Sequence, residues 1–173
     1  MNKAYLSIGG NIGNRIKNIK TAVGFLESQI GKIIKHSSIY ETAAWGNTNQ
    51  PDFLNQVLLI ETVLNAAGCI QQIFSIENKM GRIRAEKNDP RIMDIDILFF
   101  NNEIITERHL IIPHPQIQNR KFILIPMNEI SPDLVHPVLN RTISNLLCTC
   151  NDQLEVRPVS HVGEFINNNP FLE

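Results

Sequence analysis

Apolar positions along the chain recur with two periods, and the changes between them mark out elements. Residues 4–8, "AYLSI", form a short apolar run that ends in Gly9-Gly10 and predicts a strand. Ile16, Ile19, Val23, Leu26 and Ile30 then recur at steps of three and four, which predicts a helix stopped by Gly31. Residues 33–41 read as a second strand, and "TAAWGNTNQPD", 42–52, as a loop rich in Asn, Gly and Pro. "FLNQVLLIETV", 53–63, is β-branched and apolar enough for a third strand. Asn65 is placed to cap a second helix, whose apolar face carries Cys69, Ile73, Ile76 and Met80 and is widened by Ile70 and Phe74. Gly81 ends that helix, "RIRAEKNDPR" is a charged loop over 82–91, and "DIDILFF" is a fourth strand.

The order strand-helix-strand-strand-helix-strand predicts an α+β fold, a ferredoxin-like β-α-β-β-α-β sandwich. The final third reads as an irregular extension. It holds "IIPHP", "RKFILIPMNEISPDLVHP", a short helix expected after Asn140 and an edge strand expected at 155–160. Neither repeats nor low-complexity blocks break the chain, so residues 1–173 are expected to form one catalytic domain with a loose tail after about 160.

Composition narrows the function classes. At 173 residues, 43% hydrophobic and 19% charged, the chain is an ordinary globular sequence. Its net charge of −1 provides no overall field for nucleic acid or an anionic membrane. Any anionic ligand must therefore meet a local cluster of basic residues. Neither a cleavable apolar leader nor a run of membrane-spanning length is read from the sequence. Cys69, Cys148 and Cys150 are an odd set without C-x-x-C spacing, which fits reduced thiols and a cytoplasmic location.

Candidate chemistry concentrates at the fourth strand. Strand side chains alternate, so Asp94 and Asp96 share one face while Ile95 and Ile97 take the other. Two carboxylates a pleat apart repel, and a hard cation offsets that repulsion. Magnesium accepts one or two carboxylates together with substrate phosphates. Arg82, Arg84, Lys87 and Arg91 lie just before the pair, and arginine forks match phosphate oxygens. Cation and guanidiniums together suit a polyphosphate. A solvated charged loop and a solvent-facing strand end are the plain alternatives. No P-loop spacing occurs, and Gly9-Gly10 reads more simply as a tight strand-to-helix turn than as a phosphate cradle.

Five segments taken in order, "AYLSIGGNIGNR", "QPDFLNQV", "GRIRAEKNDPRIMDIDILFF", "IIPHP" and "NRKFILIPMNEISPDLVHP", resemble the 6-hydroxymethyl-7,8-dihydropterin pyrophosphokinase family of folate biosynthesis. The resemblance runs from about residue 4 to about residue 137. It implies transfer of pyrophosphate from ATP to the hydroxymethyl group of the reduced pterin, with release of AMP and two Mg2+ ions held by Asp94 and Asp96. It implies that Arg82 and Arg91 act in catalysis from a mobile loop, and that Glu77, Arg84, Arg91, Ile97, His114 and Arg120 contact ATP. Thr42, Ala43, Trp45, Phe53, Asn55 and Phe122 would bind the pterin, Phe122 and Trp45 by stacking and Asn55 through its amide. The expected partners are these two substrates, with no nucleic acid, no membrane and a monomeric chain.

The loop departs from the family. Asp89 stands where a glycine is frequent, and Lys87 stands in for an arginine, a point charge instead of a fork. For several of these residues a bland role competes: an exposed helix carboxylate for Glu77, a turn histidine between prolines for His114, a surface charge for Arg120, and a loop anchor for Trp45. Another magnesium-dependent nucleotidyl or phosphoryl transferase, and a ferredoxin-like binding module without catalysis, are the competing functions.

Overall fold

The structure, a computed structural model, describes residues 1–44, 50–81 and 90–159. Its elements in order are β1 (Asn2–Gly10), α1 (Arg15–Gln29), β2 (Lys32–His36), β3 (Tyr40–Thr42), β4 (Phe53–Thr62), α2 (Ala66–Lys79), β5 (Asp94–Phe100), β6 (Ile105–Glu107) and β7 (Leu110–Ile112). A 3-10 turn at Ile117–Asn119 leads to α3 (Lys121–Ile130), β8 (Val135–His136), β9 (Arg141–Thr142), α4 (Ile143–Cys148) and β10 (Val156–Pro158).

The main sheet runs β10-β3-β4-β1-β5, with β2 also on β4, and every pairing is antiparallel. The molecule is therefore α+β, as the alternation of elements implies. The expected second strand is broken in two. At Ser37 the side chain replaces a backbone group: its Oγ accepts from Val57 N, while its carbonyl accepts from Gln56 Nε2. That jog separates β2 from β3, and both lie along β4.

Both faces of the sheet are covered. Helices α1 and α2 bury Ile19, Ala22, Leu26, Cys69, Ile73 and Ile76 against Leu6, Ile8, Leu58, Ile60, Ile95 and Ile97. Asn14 and Asn65 cap these two helices, accepting from Lys17 N and Gly68 N. The opposite face packs Val57, Leu59, Leu98 and Phe99 against Ile123, Leu124 and Met127 of α3 and Ile143 and Leu146 of α4. This second layer explains the unbroken apolar run of β4, because a strand buried on both faces has no polar side.

Residues 121–130 are thus a helix, not part of an irregular extension. Pro126 hides it: proline inside a helix removes the bond to the carbonyl four residues back. Burial of Ile123, Leu124, Met127 and Ile130 at helical spacing outweighs that loss. The expected short helix and the edge strand near the end of the chain both form, as α4 and β10.

One irregularity decides which way β5 faces the site. Tyr5 pairs Phe99 while Leu6 pairs Ile97, so Leu98 is an extra residue on β5. Asp94, Asp96 and Leu98 share the α3 face. Past the bulge Phe99 joins that face and Phe100 returns to the α1/α2 core. Strict alternation would place Phe100, not Phe99, beside the aspartates.

Candidate active site

The sheet register assembles the site. Asn55 pairs Gly9 and Gly9 pairs Asp94; one step along, Val57 pairs Ser7 and Ser7 pairs Asp96. Directly opposed residues in antiparallel strands project to the same face. Asn55, Gly9 and Asp94 therefore form one row, and Val57, Ser7 and Asp96 the next. Helix α3 covers the sheet from Val57 onward and leaves Ser7, Gly9, Asn55, Asp94 and Asp96 to line a cleft. The result is a cleft of about 680 Å3, counting space open to solvent, with Ser7, Gly9, Asp94 and Asp96 among its lining residues. Thr42, Ala43, Ala44, Gln50, Phe53, Asn55, Arg91, Arg120 and Phe122 complete the lining. That size suits a small-molecule ligand.

Each wall has a physical support. Asn55 Nδ2 donates to Thr42 Oγ1 at 2.9 Å, which fixes the amide across β3 and β4. Gly9 makes room for it, since a Cβ there would stand 2.4 Å from Asn55 Oδ1. Arg91 Nη1 donates to Asp94 Oδ2 at 2.7 Å, and both side chains are about one-quarter exposed. The Arg91 guanidinium also lies 5.8 Å from the Phe53 ring centre, while its Nε is buried without an acceptor among the described residues. Arg120 precedes α3, its guanidinium 5.6 Å from the Phe122 ring. Lys121 N donates to Asp152 Oδ2 at 2.9 Å, so a residue of the C-terminal segment caps α3 beside Arg120.

The electrostatics is mixed. Two carboxylates face two guanidiniums across the cleft. Burial lowers the Arg120 pKa, whereas Asp96 and Asp94 raise it. Burial, then the Arg120 charge, pushes His114 down to about 4 against the opposing pull of Asp94. His114 is therefore neutral near pH 7. Its Nδ1 accepts from Gln116 N at 3.2 Å, which leaves the ring proton on Nε2. His114 N donates to Leu98 O at 2.9 Å and ties this turn to β5.

Of the residues singled out in the sequence, Thr42, Ala43, Phe53, Asn55, Arg91, Asp94, Asp96, Arg120 and Phe122 all line this cleft. Glu77 and Ile97 do not line it. Ile97 is buried in the α1/α2 core, so only its backbone is available to a ligand. Glu77 is buried too, 3% exposed, which removes the exposed-carboxylate alternative; its Oε1 accepts from Ile95 N at 2.9 Å. His114 contacts the cleft electrostatically through Arg120 and Asp94. Trp45, Arg82 and Arg84 lie outside the described residues, as do Lys87 and Asp89. Ser7 and Gln50 carry no role in the sequence reading; Gly9, read there as part of a turn, is instead a residue of β1, and Ala44 lies in the loop segment 43–46 that the resemblance gives to the pterin pocket. Ser7 and Gly9 sit two apart on β1, a signal readable only once the cross-strand register is known.

Two carboxylates on one face are hard oxygen donors suited to Mg2+, and no group of three or more metal-ligating side chains occurs among the described residues. A cation held there would keep positions for substrate oxygens.

Comparison with known proteins gives a consistent picture. Residues 5–132 match the family described as 7,8-dihydro-6-hydroxymethylpterin-pyrophosphokinase (HPPK). The chain is 38% identical over 143 residues to 2-amino-4-hydroxy-6-hydroxymethyldihydropteridine pyrophosphokinase of Aquifex aeolicus, covering 83% of this chain and 89% of that protein. Against the enzyme of the same name from Methylorubrum extorquens it is 38% identical over 136 residues, covering 78% and 86%. Folic acid synthesis protein fol1 of Pneumocystis carinii is 37% identical over 155 residues; the match covers 90% of this chain but only 21% of fol1. A crystal structure of Plasmodium falciparum HPPK-DHPS, wild type with pterin and p-hydroxybenzoate, shares the fold. Its TM-score is 0.70 at 23% identity, covering 85% of this chain and 42% of that one.

Proposed function

We propose how this cleft works from one premise: the chain belongs to the 7,8-dihydro-6-hydroxymethylpterin-pyrophosphokinase family. It transfers a pyrophosphoryl group from ATP to the hydroxymethyl group of the dihydropterin, a step of folate biosynthesis. The new bond joins the hydroxymethyl oxygen to the β-phosphorus of ATP. The bond that breaks joins that phosphorus to the oxygen bridging it to the α-phosphate, and AMP leaves.

The observation that carries the assignment of roles is the pair of rows on the sheet. Asp94 and Asp96 stand beside Asn55 and Gly9 on one face, between Arg91 and Arg120. Asp94 and Asp96 would hold two Mg2+ ions, which would supply Lewis-acid withdrawal of charge from the phosphate oxygens. Arg91 and Arg120 place guanidinium forks on the outer phosphate oxygens. Arg91 is also paired with Asp94, which keeps its guanidinium beside the metal-binding carboxylate. His114, neutral, offers its Nε2 proton as a donor to a phosphate oxygen, and the backbone at Ile97 is available to the nucleotide. Arg82 and Arg84 add positive charge from the segment preceding Arg91, and Glu77 supports β5 from behind through Ile95 N.

The pterin lies on the other side of the aspartates. Phe122 stacks on its ring, Phe53 and Ala43 contribute apolar contact, and Trp45 is the second stacking plate. Asn55, its donor held by Thr42, presents an acceptor to the polar edge of the pterin. Positioning of alcohol against phosphorus and neutralisation of charge account for most of the acceleration, because a well-held alcohol needs little base catalysis. The sheet order supports a ferredoxin-like core. The chain acts as one catalytic domain, as a cytoplasmic monomer.

Calorimetry with a non-hydrolysable ATP analogue tests the metal role. Wild-type protein should bind the analogue at least tenfold more tightly with magnesium than without, and Asp96→Ala should lose that difference. Binding that ignores magnesium in the wild type would remove the metal assignment.

A further inference from the structure

Asn11 follows Gly9-Gly10 and was not part of any site read from the sequence. It is 2% exposed, and its side chain hydrogen-bonds two segments, one at Gln50 and Pro51 and one at Arg91. Its Nδ2 donates to Gln50 Oε1 at 3.2 Å and to Pro51 O at 3.1 Å. Its Oδ1 accepts from Arg91 N at 2.9 Å, and its own N–H donates to Arg91 O at 2.9 Å. One carboxamide thus holds the end of the 42–52 loop and the start of the segment that carries Arg91 and Asp94. Gly10 makes the approach possible, because the backbone of Arg91 and Ile92 passes where its Cβ would stand.

The two segments are the two walls of the cleft. Gln50 and Phe53 line the cleft from the first segment, Arg91 and Asp94 from the second; in the function proposed above the first serves the pterin and the second the phosphates. The walls also meet through the sheet, where β4 and β5 both pair with β1, and through the Arg91 guanidinium, 5.8 Å from the Phe53 ring centre. We infer that Asn11 is a positioning residue for the transfer: its carboxamide sets the separation of the two substrate walls, so that alcohol and β-phosphorus meet in line. It touches neither substrate. The inference rests on the function proposed above and adds to it the residue that keeps the two subsites in register.

A misplacement of about 1 Å between reacting groups can cost on the order of a hundredfold in rate. The effect should therefore fall on kcat, since each wall still binds its own ligand. The test is steady-state kinetics with thermal melting, on the full chain, for wild type, Asn11→Ala and Asn11→Asp. Asn11→Asp keeps the acceptor for Arg91 N and loses both donors to Gln50 and Pro51, so it separates the walls with little change of volume. Expected are a kcat lower by about a hundredfold in Asn11→Ala and about tenfold in Asn11→Asp, with both KM values within about threefold of wild type. If Asn11→Ala fails to fold, Asn11→Asp alone decides. A kcat per folded molecule within threefold of wild type, with only a lower melting temperature, would show that Asn11 is merely structural and overturn the proposal. Raised KM values with unchanged kcat would overturn it as well. Formation of AMP by the wild type is scored first: its absence removes the functional assignment and this proposal with it, whereas AMP from the wild type and unchanged variants removes this proposal alone.

Discussion

Single residues carry the chemistry, and their legibility in the sequence differs by kind. Asp94 and Asp96 were visible because charge at the head of an apolar strand needs an explanation. Gly9 was not, because its role is to leave space for Asn55, which lies 46 positions away and meets it only across the β1–β4 register. Gly9→Ala should push the Asn55 amide off Thr42 and weaken pterin binding about tenfold or more, while the circular dichroism stays native; calorimetry with the pterin reads this directly. Asp96→Ala should abolish turnover, by at least about a thousandfold, and leave folding intact, since the side chain is part of the cleft and not of either core. Retained turnover would discard its role as a metal ligand. His114 gives a pH dependence whose sign follows from its burial. Its folded pKa lies near 4, below the ordinary value of 6.5. As pH falls from 6.5 to 4 the unfolded chain takes up a proton that the folded chain refuses, so stability is lost across that window and no further below it. His136, also lowered by burial, adds to the same trend. Urea melts at pH 7 and pH 5 should show a smaller loss for His114→Gln than for wild type; equal losses would contradict the shift.

Elements show where local pattern stops being enough. Both long helices, the four main strands and the Asn65 cap follow from periodicity and capping chemistry. The break at Ser37 does not, because a serine side chain takes over a backbone role only once β4 is alongside. The bulge at Leu98 is equally silent in the sequence, yet it sets which aromatic backs the aspartates. Helix α3 was hidden by Pro126, although its apolar spacing is helical. Its N-terminus is capped from a distance by Asp152, and it carries Phe122 into the cleft beside Arg120. Asp152→Ala should lower stability by about 1 kcal/mol, a typical value for a lost cap, and depress the melting temperature by a few degrees. It should also weaken nucleotide binding by loosening the Arg120 turn; an unchanged melting temperature would show that the cap is not needed.

At the scale of the whole molecule, the two-sided core is what makes a precise site affordable. Layers of helices on both faces hold β1, β4 and β5 rigid, and the open end of that sheet presents its rows to ligand beside α3. The α1/α2 layer and its strands were legible in the sequence, as was α4, whereas α3 on the opposite face was not, because Pro126 broke the pattern there. Asn11 ties Pro51 to Arg91, and Arg91 is paired with Asp94, which the proposed function gives to the phosphates. Arg91→Ala should therefore lower kcat by one to two orders of magnitude while the pterin dissociation constant changes by less than about threefold. Lost pterin affinity with intact turnover would place Arg91 on the wrong side of the cleft. The most direct measurement incubates the purified chain with ATP, magnesium and 6-hydroxymethyl-7,8-dihydropterin and identifies the nucleotide product. AMP formed in step with the pterin diphosphate is the result expected of attack at the β-phosphorus; ADP, free pyrophosphate or unconsumed ATP would contradict it.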